Sequence, residues 1–142
     1  AAVRDGATVL AGGQAEGACM QATLLADVPA ESELATMETF GPVVAIEVVD
    51  SAEEAVERAN ATAYGLASGI ITQDAERGMA LAQAVDAGIV HVNDQPVGDE
   101  PQMPFGGVKD SGFGRFGGSA VVDEFTEMRW ITVQRGSHPF PF

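Results

Sequence analysis

The sequence is short of most of the groups that give a protein a fixed chemistry. It has a single cysteine, Cys19, so no internal disulfide forms and a reducing compartment, the cytoplasm, is the default. Only 7 of its 142 residues are lysine or arginine, against 21 aspartates and glutamates, for a formal net charge of −14. That balance argues against a nucleic-acid partner, whose phosphates demand clustered cations, and against an anionic membrane surface. No apolar run is long enough to span a bilayer, and no charged-then-apolar leader is present. Two histidines, His91 and His138, stand too far apart for metal-ligand spacing, and the scattered acids form no calcium-loop pattern, so no metal is expected. No repeat or low-complexity tract is visible. The chain opens Ala-Ala-Val-Arg-Asp-Gly without an initiator methionine, which reads as a chain entered midway.

What the sequence does have is a hydrophobic fraction of 46% with 20% charged residues, the composition of a soluble globular protein with a core. Its densest feature is the loop Met103-Pro104-Phe105-Gly106-Gly107-Val108-Lys109-Asp110-Ser111-Gly112-Phe113-Gly114-Arg115. So many glycines in one loop mean positive φ or close backbone approach, where a side chain would collide. A phosphate cradle is the first candidate, but the spacing matches neither G-x-G-x-x-G nor G-x-x-x-x-G-K-[ST].

Along the chain, Ala7 to Ala11 and Cys19 to Val28 are two apolar runs separated by Gly12-Gly13, a hairpin-like pair. Glu31 to Met37 carries at most a helical turn. Glu38-Thr39-Phe40-Gly41-Pro42 then leads into a strand over Val43 to Val49, placing a carboxylate at a strand entrance. Ser51 with Glu54 three residues on predicts a capped helix ending near Asn60 to Thr62, with Ala52, Ala55, Val56 and Ala59 on one face. A second strand is expected over Ala67 to Thr72, a second helix from Asp74 to about Ala87 with Gly88 as its left-handed stop, and a third strand over Ile89 to Asn93. Strand, helix, strand, helix, strand predicts two βαβ crossovers in an α/β fold with a mainly parallel sheet, and ligands bind beyond the carboxyl ends of such strands. The third strand delivers the chain there, into the glycine loop. A short helix near Ser119 to Phe125 and a clean strand over Arg129 to Arg135 follow. The expected organisation is 1–128 as the body and 129–142 as a strand and tail with an edge to offer another chain.

Glu38-Thr39-Phe40-Gly41-Pro42-Val43, Tyr64-Gly65-Leu66, Ile89-Val90-His91-Val92-Asn93 and Pro104 to Arg115 resemble, in this order and spacing, the C-terminal part of the NAD(P)-dependent aldehyde dehydrogenase superfamily. Arg115-Phe116-Gly117-Gly118 and Glu124 to Ile131 further resemble the branch acting on benzaldehyde, vanillin and salicylaldehyde, although many relatives carry Glu where Phe116 stands. The resemblance implies an oxidoreductase that turns an aromatic aldehyde into the acid through a cysteine thiohemiacetal, with NAD or NADP as cofactor. It implies that the catalytic cysteine, the general base and the nucleotide domain lie in a missing N-terminal part, so this chain supplies no catalytic residue and is inactive alone. Cys19 lacks the family's Gly-Gln-x-Cys surroundings and reads as a small structural residue.

By the same resemblance Glu38 meets the ribose hydroxyls of the cofactor, Phe40 flanks its nicotinamide, and Val97, Gly98 and Phe105 wall the aldehyde tunnel. From pattern alone, Glu38 is equally an N-cap or a solvated acid, Phe40 a core residue, and Phe105 a packing residue beside proline. Lys109, Asp110 and Arg115 are loop-fixing ion pairs or solvated charges, and His91 a satisfied or partly exposed strand residue. A semialdehyde or betaine aldehyde dehydrogenase, and a catalytically silent module that oligomerises through 129–135, are the alternatives.

Overall fold

The computed structural model of the chain describes residues 1–137 and 139. The first apolar runs form β1 (Thr8–Ala11) and, beyond a two-rung hairpin of β2 (Ala15–Glu16) and β3 (Cys19–Met20), β4 (Thr23–Ala26). β1 pairs antiparallel with β4. The expected hairpin-like pair thus exists, with a small hairpin inserted at its turn. β4 alternates buried and half-buried residues and holds Leu25, 4% exposed, one of the few apolar side chains fully out of solvent. Cys19, expected as a small structural residue, is exposed in β3. The two-rung hairpin pairs only with itself and carries no buried residue.

One helical turn, α1 (Glu33–Thr36), precedes β5 (Val43–Ile46), which runs parallel to β4 in the register Thr23↔Val43. Helix α2 (Ala52–Asn60) starts where its cap predicts: Ser51 Oγ accepts the Glu54 N–H at 3.0 Å, and the Glu54 carboxylate accepts the Asp50 N–H at 3.0 Å. β6 (Tyr64–Gly65) and β7 (Ala67–Ile70) follow, then α3 (Ala75–Ala84), whose Asp74 cap accepts the Arg77 N–H at 2.9 Å. β8 (Ile89–Val92) pairs parallel with β7, β9 (Val108–Lys109) pairs antiparallel with β6, and α4 (Ala120–Phe125) follows the glycine loop.

The fold is α/β, but its sheets are small and mixed rather than one mainly parallel sheet. β7–α3–β8 is the expected crossover. The other parallel pair is β4–β5, crossed through α1, so the expected crossover from β5 through α2 to β7 does not join one sheet. β4 is the reason: its apolar run takes the edge of β5, and α2 instead packs on α3.

Helix α3 also ends at Ala84, three residues short of the expected Ala87. Asn60 causes this from α2: its Nδ2 donates to Ala84 O and its Oδ1 accepts the Asp86 N–H, both at 2.8 Å, which satisfies the helix end by a side-chain cap. Gly88 has no positive φ. It is glycine because its neighbour is backbone, since a Cβ there would lie 1.8 Å from Gly106 O.

The strand expected over Arg129 to Arg135, with its edge offered to another chain, forms no ladder within this one: residues 126–135 pair with no strand among the described residues. Met128, Trp130, Ile131 and Val133 are largely exposed. A strand exists only through a partner's ladder, and none of the described residues offers one. His138 and Phe140 to Phe142 lie outside the described residues.

No described helix is long and apolar enough to cross a membrane. The accessible surface is 11215 Å² for 14.7 kDa, whereas a compact monomer of that mass exposes about 6,900 Å². Among the described residues no large side chain is fully buried.

Candidate functional site

The glycine loop is clamped at its base. Phe105 and Phe116 exchange backbone hydrogen bonds, both at 2.7 Å, forming an isolated antiparallel bridge. Within it, Arg115 Nη1 donates to Gly107 O at 2.9 Å and to Gly114 O at 2.7 Å, while Glu124 of α4 accepts the Arg115 N–H at 3.1 Å. Arg115 is therefore a loop-fixing residue, but it works through carbonyls rather than an ion pair. Farther along, the Ser111 hydroxyl accepts the Gly65 N–H at 3.0 Å, and Asp110 N–H donates to Ala63 O at 3.0 Å. Gly106 and Gly107 are buried against Gly88. The close approach foreseen for these glycines is an approach of strand backbone, not of phosphate.

This geometry carries Phe105 to one cavity and Ser111 to another. The first, about 670 Å³, is lined by Ile89, His91, Gly98, Met103, Pro104 and Phe105, with Asp94, Asp99 and Glu100 at its wall. Two of the three tunnel residues expected from sequence, Gly98 and Phe105, thus meet here. Val97 is 82% exposed on the same loop. That loop is launched by Asn93, which adopts φ of 59° at the end of β8; its Oδ1 accepts the Thr72 N–H at 2.8 Å. A turned-back strand end of this kind lifts the following residues over the cavity, and Asn tolerates the left-handed region better than most side chains.

The sequence predicts His91 to be a satisfied or partly exposed strand residue. It is half-buried, and its Nε2 is sealed from solvent without a hydrogen-bond partner among the described residues. Its place on the cavity wall went unforeseen. Period-2 alternation could have found it, since His91 and Ile89 share a face of β8.

The second cavity, about 430 Å³, lies between α1, α2 and β6, and is lined by Thr36, Met37, Glu38, Tyr64, Leu66 and Ser111. Glu38 follows the C-cap of α1 and is exposed, so the N-capping alternative is excluded and its carboxylate faces open space. Phe40 is 94% exposed, so no core within this chain covers it. The backbone beneath them is fixed: Thr23 N–H donates to Pro42 O at 2.8 Å, and Val43 N–H to Gly41 O at 2.8 Å. Glu38 and Phe105 therefore belong to different cavities, and the glycine loop is the element that touches both. Ser111 as a wall of the Glu38 cavity was also missed, although the loop that carries it was singled out.

What the arrangement can do chemically is bind. A carboxylate with free acceptor sites suits vicinal hydroxyls, an exposed phenyl face suits a flat ring, and a cavity with a phenylalanine wall and carboxylates at its rim suits an aromatic body carrying polar substituents. Cys19, on β3, lines neither cavity. Among the described residues no group of three or more His, Cys, Asp or Glu side chains converges as a metal site.

Comparison with known proteins agrees with that geometry. The aldehyde dehydrogenase family model matches residues 1–131. The chain is 46% identical over 140 residues to a vanillin dehydrogenase of Pseudomonas fluorescens and 47% identical over 142 residues to a benzaldehyde dehydrogenase [NAD(+)] of Pseudomonas putida, covering 99% of this chain and 29% of each relative. A crystal structure of salicylaldehyde dehydrogenase from Pseudomonas putida G7 complexed with salicylaldehyde superposes with a TM-score of 0.90 at 40% identity, again over 99% of this chain and 29% of that one. The chain thus spans less than a third of the length of the relatives it matches. It belongs to the aldehyde dehydrogenase family.

Proposed function

We propose that the chain is the cofactor-contacting and substrate-walling portion of an enzyme that oxidises aromatic aldehydes to carboxylic acids with NAD or NADP. The observation that carries this reading is the glycine loop, which ends at one cavity in Phe105 and at the other in Ser111, opposite Glu38. The relatives named for vanillin, benzaldehyde and salicylaldehyde support the aromatic class.

The residues fit the cofactor. Glu38 has an uncommitted carboxylate to accept hydrogen bonds from two ribose hydroxyls, and Phe40 offers its exposed face to the nicotinamide. The cofactor, when bound, supplies the hydride acceptor. Val97, Gly98 and Phe105 confine the aldehyde, holding an aromatic ring so that its carbonyl carbon meets a nucleophile supplied from outside this chain. The thiolate that forms the thiohemiacetal, the general base and the nucleotide domain belong to the remainder of the enzyme, so the 142 residues alone bind without turning over. Residues 129–135 are proposed to complete a sheet with a second subunit; the exposure of Trp130, Ile131 and Val133 supports this. The acidic balance and the lone unpaired cysteine suit a cytoplasmic enzyme.

The test is to express the chain with the missing part of the enzyme and follow reduced nicotinamide. Oxidation of benzaldehyde, vanillin or salicylaldehyde by the completed protein, and none by the 142 residues, is expected. Absence of turnover with all three would remove the enzyme reading. Preference for a semialdehyde or betaine aldehyde would leave the family and overturn the aromatic class.

A further inference from the structure

Lys109 occupies a conformation that most side chains avoid. Its φ is +54°, in the left-handed region, although it is a rung of the β6–β9 ladder opposite Tyr64. An L-residue there carries a strain that glycine would not, and strain of this kind persists only where the surroundings over-determine it.

The surroundings of its amine supply that determination. Lys109 Nζ donates to Asn60 O at 2.9 Å and to Thr62 O at 3.3 Å, and lies 3.7 Å from the Asp86 carboxylate. Its side chain is 26% exposed although the residue as a whole lies at the surface. Asn60 O belongs to the last residue of α2, a carbonyl without an onward helical bond, and a cation beside it also complements the helix dipole. The Asn60 side chain meanwhile holds the end of α3 through Ala84 O and the Asp86 N–H. One amine therefore joins the ends of two helices to β9.

β9 is the inner limb of the glycine loop. Upstream of it Gly107 and Gly106 press on Gly88 at the start of β8, and Phe105 follows on the cavity wall. With the Phe105–Phe116 bridge fixing the outer end, the Lys109 amine fixes the inner one, and the phenyl ring is set between them.

We propose that Lys109 is a positioning residue for aldehyde binding: its amine, by tying β9 to the ends of α2 and α3, holds the glycine loop so that Phe105 forms the substrate wall. This rests on the aldehyde dehydrogenase reading of that cavity. Glu38 sits on a separate stretch with its own backbone anchors; Thr62 and Asp86, partners of the lock, and Ser111 line its cavity too, so the lock is expected to act on the ribose contact less than on the aldehyde wall.

The experiment uses the complete enzyme with Lys109→Gly, Lys109→Met and Lys109→Arg. Glycine relieves the backbone strain and removes the amine; methionine keeps the strain and removes the amine; arginine keeps a donor. Steady-state kinetics with benzaldehyde and hydrogen exchange of peptides covering 104–112 are measured together. Loss of hydrogen bonds from a charged donor is expected to lower kcat/KM for the aldehyde roughly tenfold in both Gly and Met variants, mainly through the aldehyde KM. The cofactor KM stays within about twofold, exchange of 104–112 accelerates, and arginine restores most of the loss. An aldehyde KM within about twofold of the parent in Lys109→Gly overturns the proposal, because backbone shape alone would then suffice. Aldehyde and cofactor KM rising together also overturns it, since that is a general structural role. If the parent enzyme turned over no aldehyde, the proposed function would fall, and unchanged exchange in Lys109→Gly would then remove the lock as well.

Discussion

Replacing Gly88 by alanine should open the seam between β8 and the glycine loop. The added Cβ would stand 1.8 Å from Gly106 O, 2.8 Å from Gly106 C and 3.1 Å from Gly107 Cα, all backbone atoms that cannot rotate away. An ordinary carbon–oxygen contact needs about 3.2 Å or more, so the two backbones must part by over 1 Å. Parting threatens the Gly88 N–H bond to Gly65 O, now 3.0 Å, and the burial of Gly106 and Gly107. Overpacking costs about 1–3 kcal/mol and the unsatisfied donor of half-buried Gly88 up to about 1–3 kcal/mol more, so local stability should fall by about 2–6 kcal/mol at most. Hydrogen exchange in the complete enzyme reads this directly: a loss of about 2 kcal/mol accelerates exchange of 86–90 and 104–112 roughly thirtyfold. Aldehyde turnover should drop with it, because Phe105 follows the displaced glycine. Exchange within about threefold of the parent would show that the seam is looser than its distances say, and would refute the account of Gly88 as a backbone contact.

Other substitutions separate stability from binding. Gly98→Ala meets only Gln95 O at 3.6 Å and the His91 ring at 3.7 Å, ordinary contacts at a φ outside the left-handed region, so the unfolding midpoint should hold while the aldehyde KM for bulky substituted benzaldehydes rises several-fold; a matching loss for benzaldehyde itself would count against a steric wall. Glu38→Gln removes the charge of the proposed ribose acceptor and should raise the cofactor KM about tenfold in the complete enzyme, leaving the aldehyde KM unchanged, as measured by cofactor titration at saturating aldehyde. Ser51→Ala deletes the cap of α2 and should cost about 1 kcal/mol, seen as faster exchange over 52–58 with no kinetic effect.

The parts of the fold that sequence reading places correctly are those whose cause is local. Ser51 and Glu54 start α2, and Asp74 starts α3, because a cap is a contact between residues three apart. Gly88 was misassigned because its requirement is tertiary. The chain signal, a glycine after a helix, is the same for a left-handed stop and for a backbone contact, and only Asn60, far upstream, decides where α3 ends. Strand pairing fails in the same way: Val43 to Val49 reads as a strand and Val43–Ile46 forms one, yet its choice of β4 over β7 is not written in its own residues. For the candidate site, family resemblance supplied Glu38, Phe40, Val97, Gly98 and Phe105, while composition and spacing gave only a glycine loop of unknown purpose. His91 and Ser111 escaped because their meaning depends on which cavity each faces.

The surface sharpens what such a piece can and cannot do. It exposes about 4,000 Å² more than a compact body of its mass, several times the roughly 800 Å² that one partner contributes to a standard interface. A second subunit docking on 129–135 is therefore too small an event to account for the excess. Most of it has the character of an interior laid open: Leu66, Ile71 and Met79 on the β7–α3–β8 side and Val44 and Ile46 on β5 are all at least 40% exposed. On the proposed function these faces meet the remainder of the enzyme, whose relatives are more than three times as long. The two cavities would then acquire their other walls from the same source, and the glycine loop, stapled to its own chain by Arg115, Lys109 and the Phe105–Phe116 bridge, is the part of the proposed site whose anchors lie within this chain.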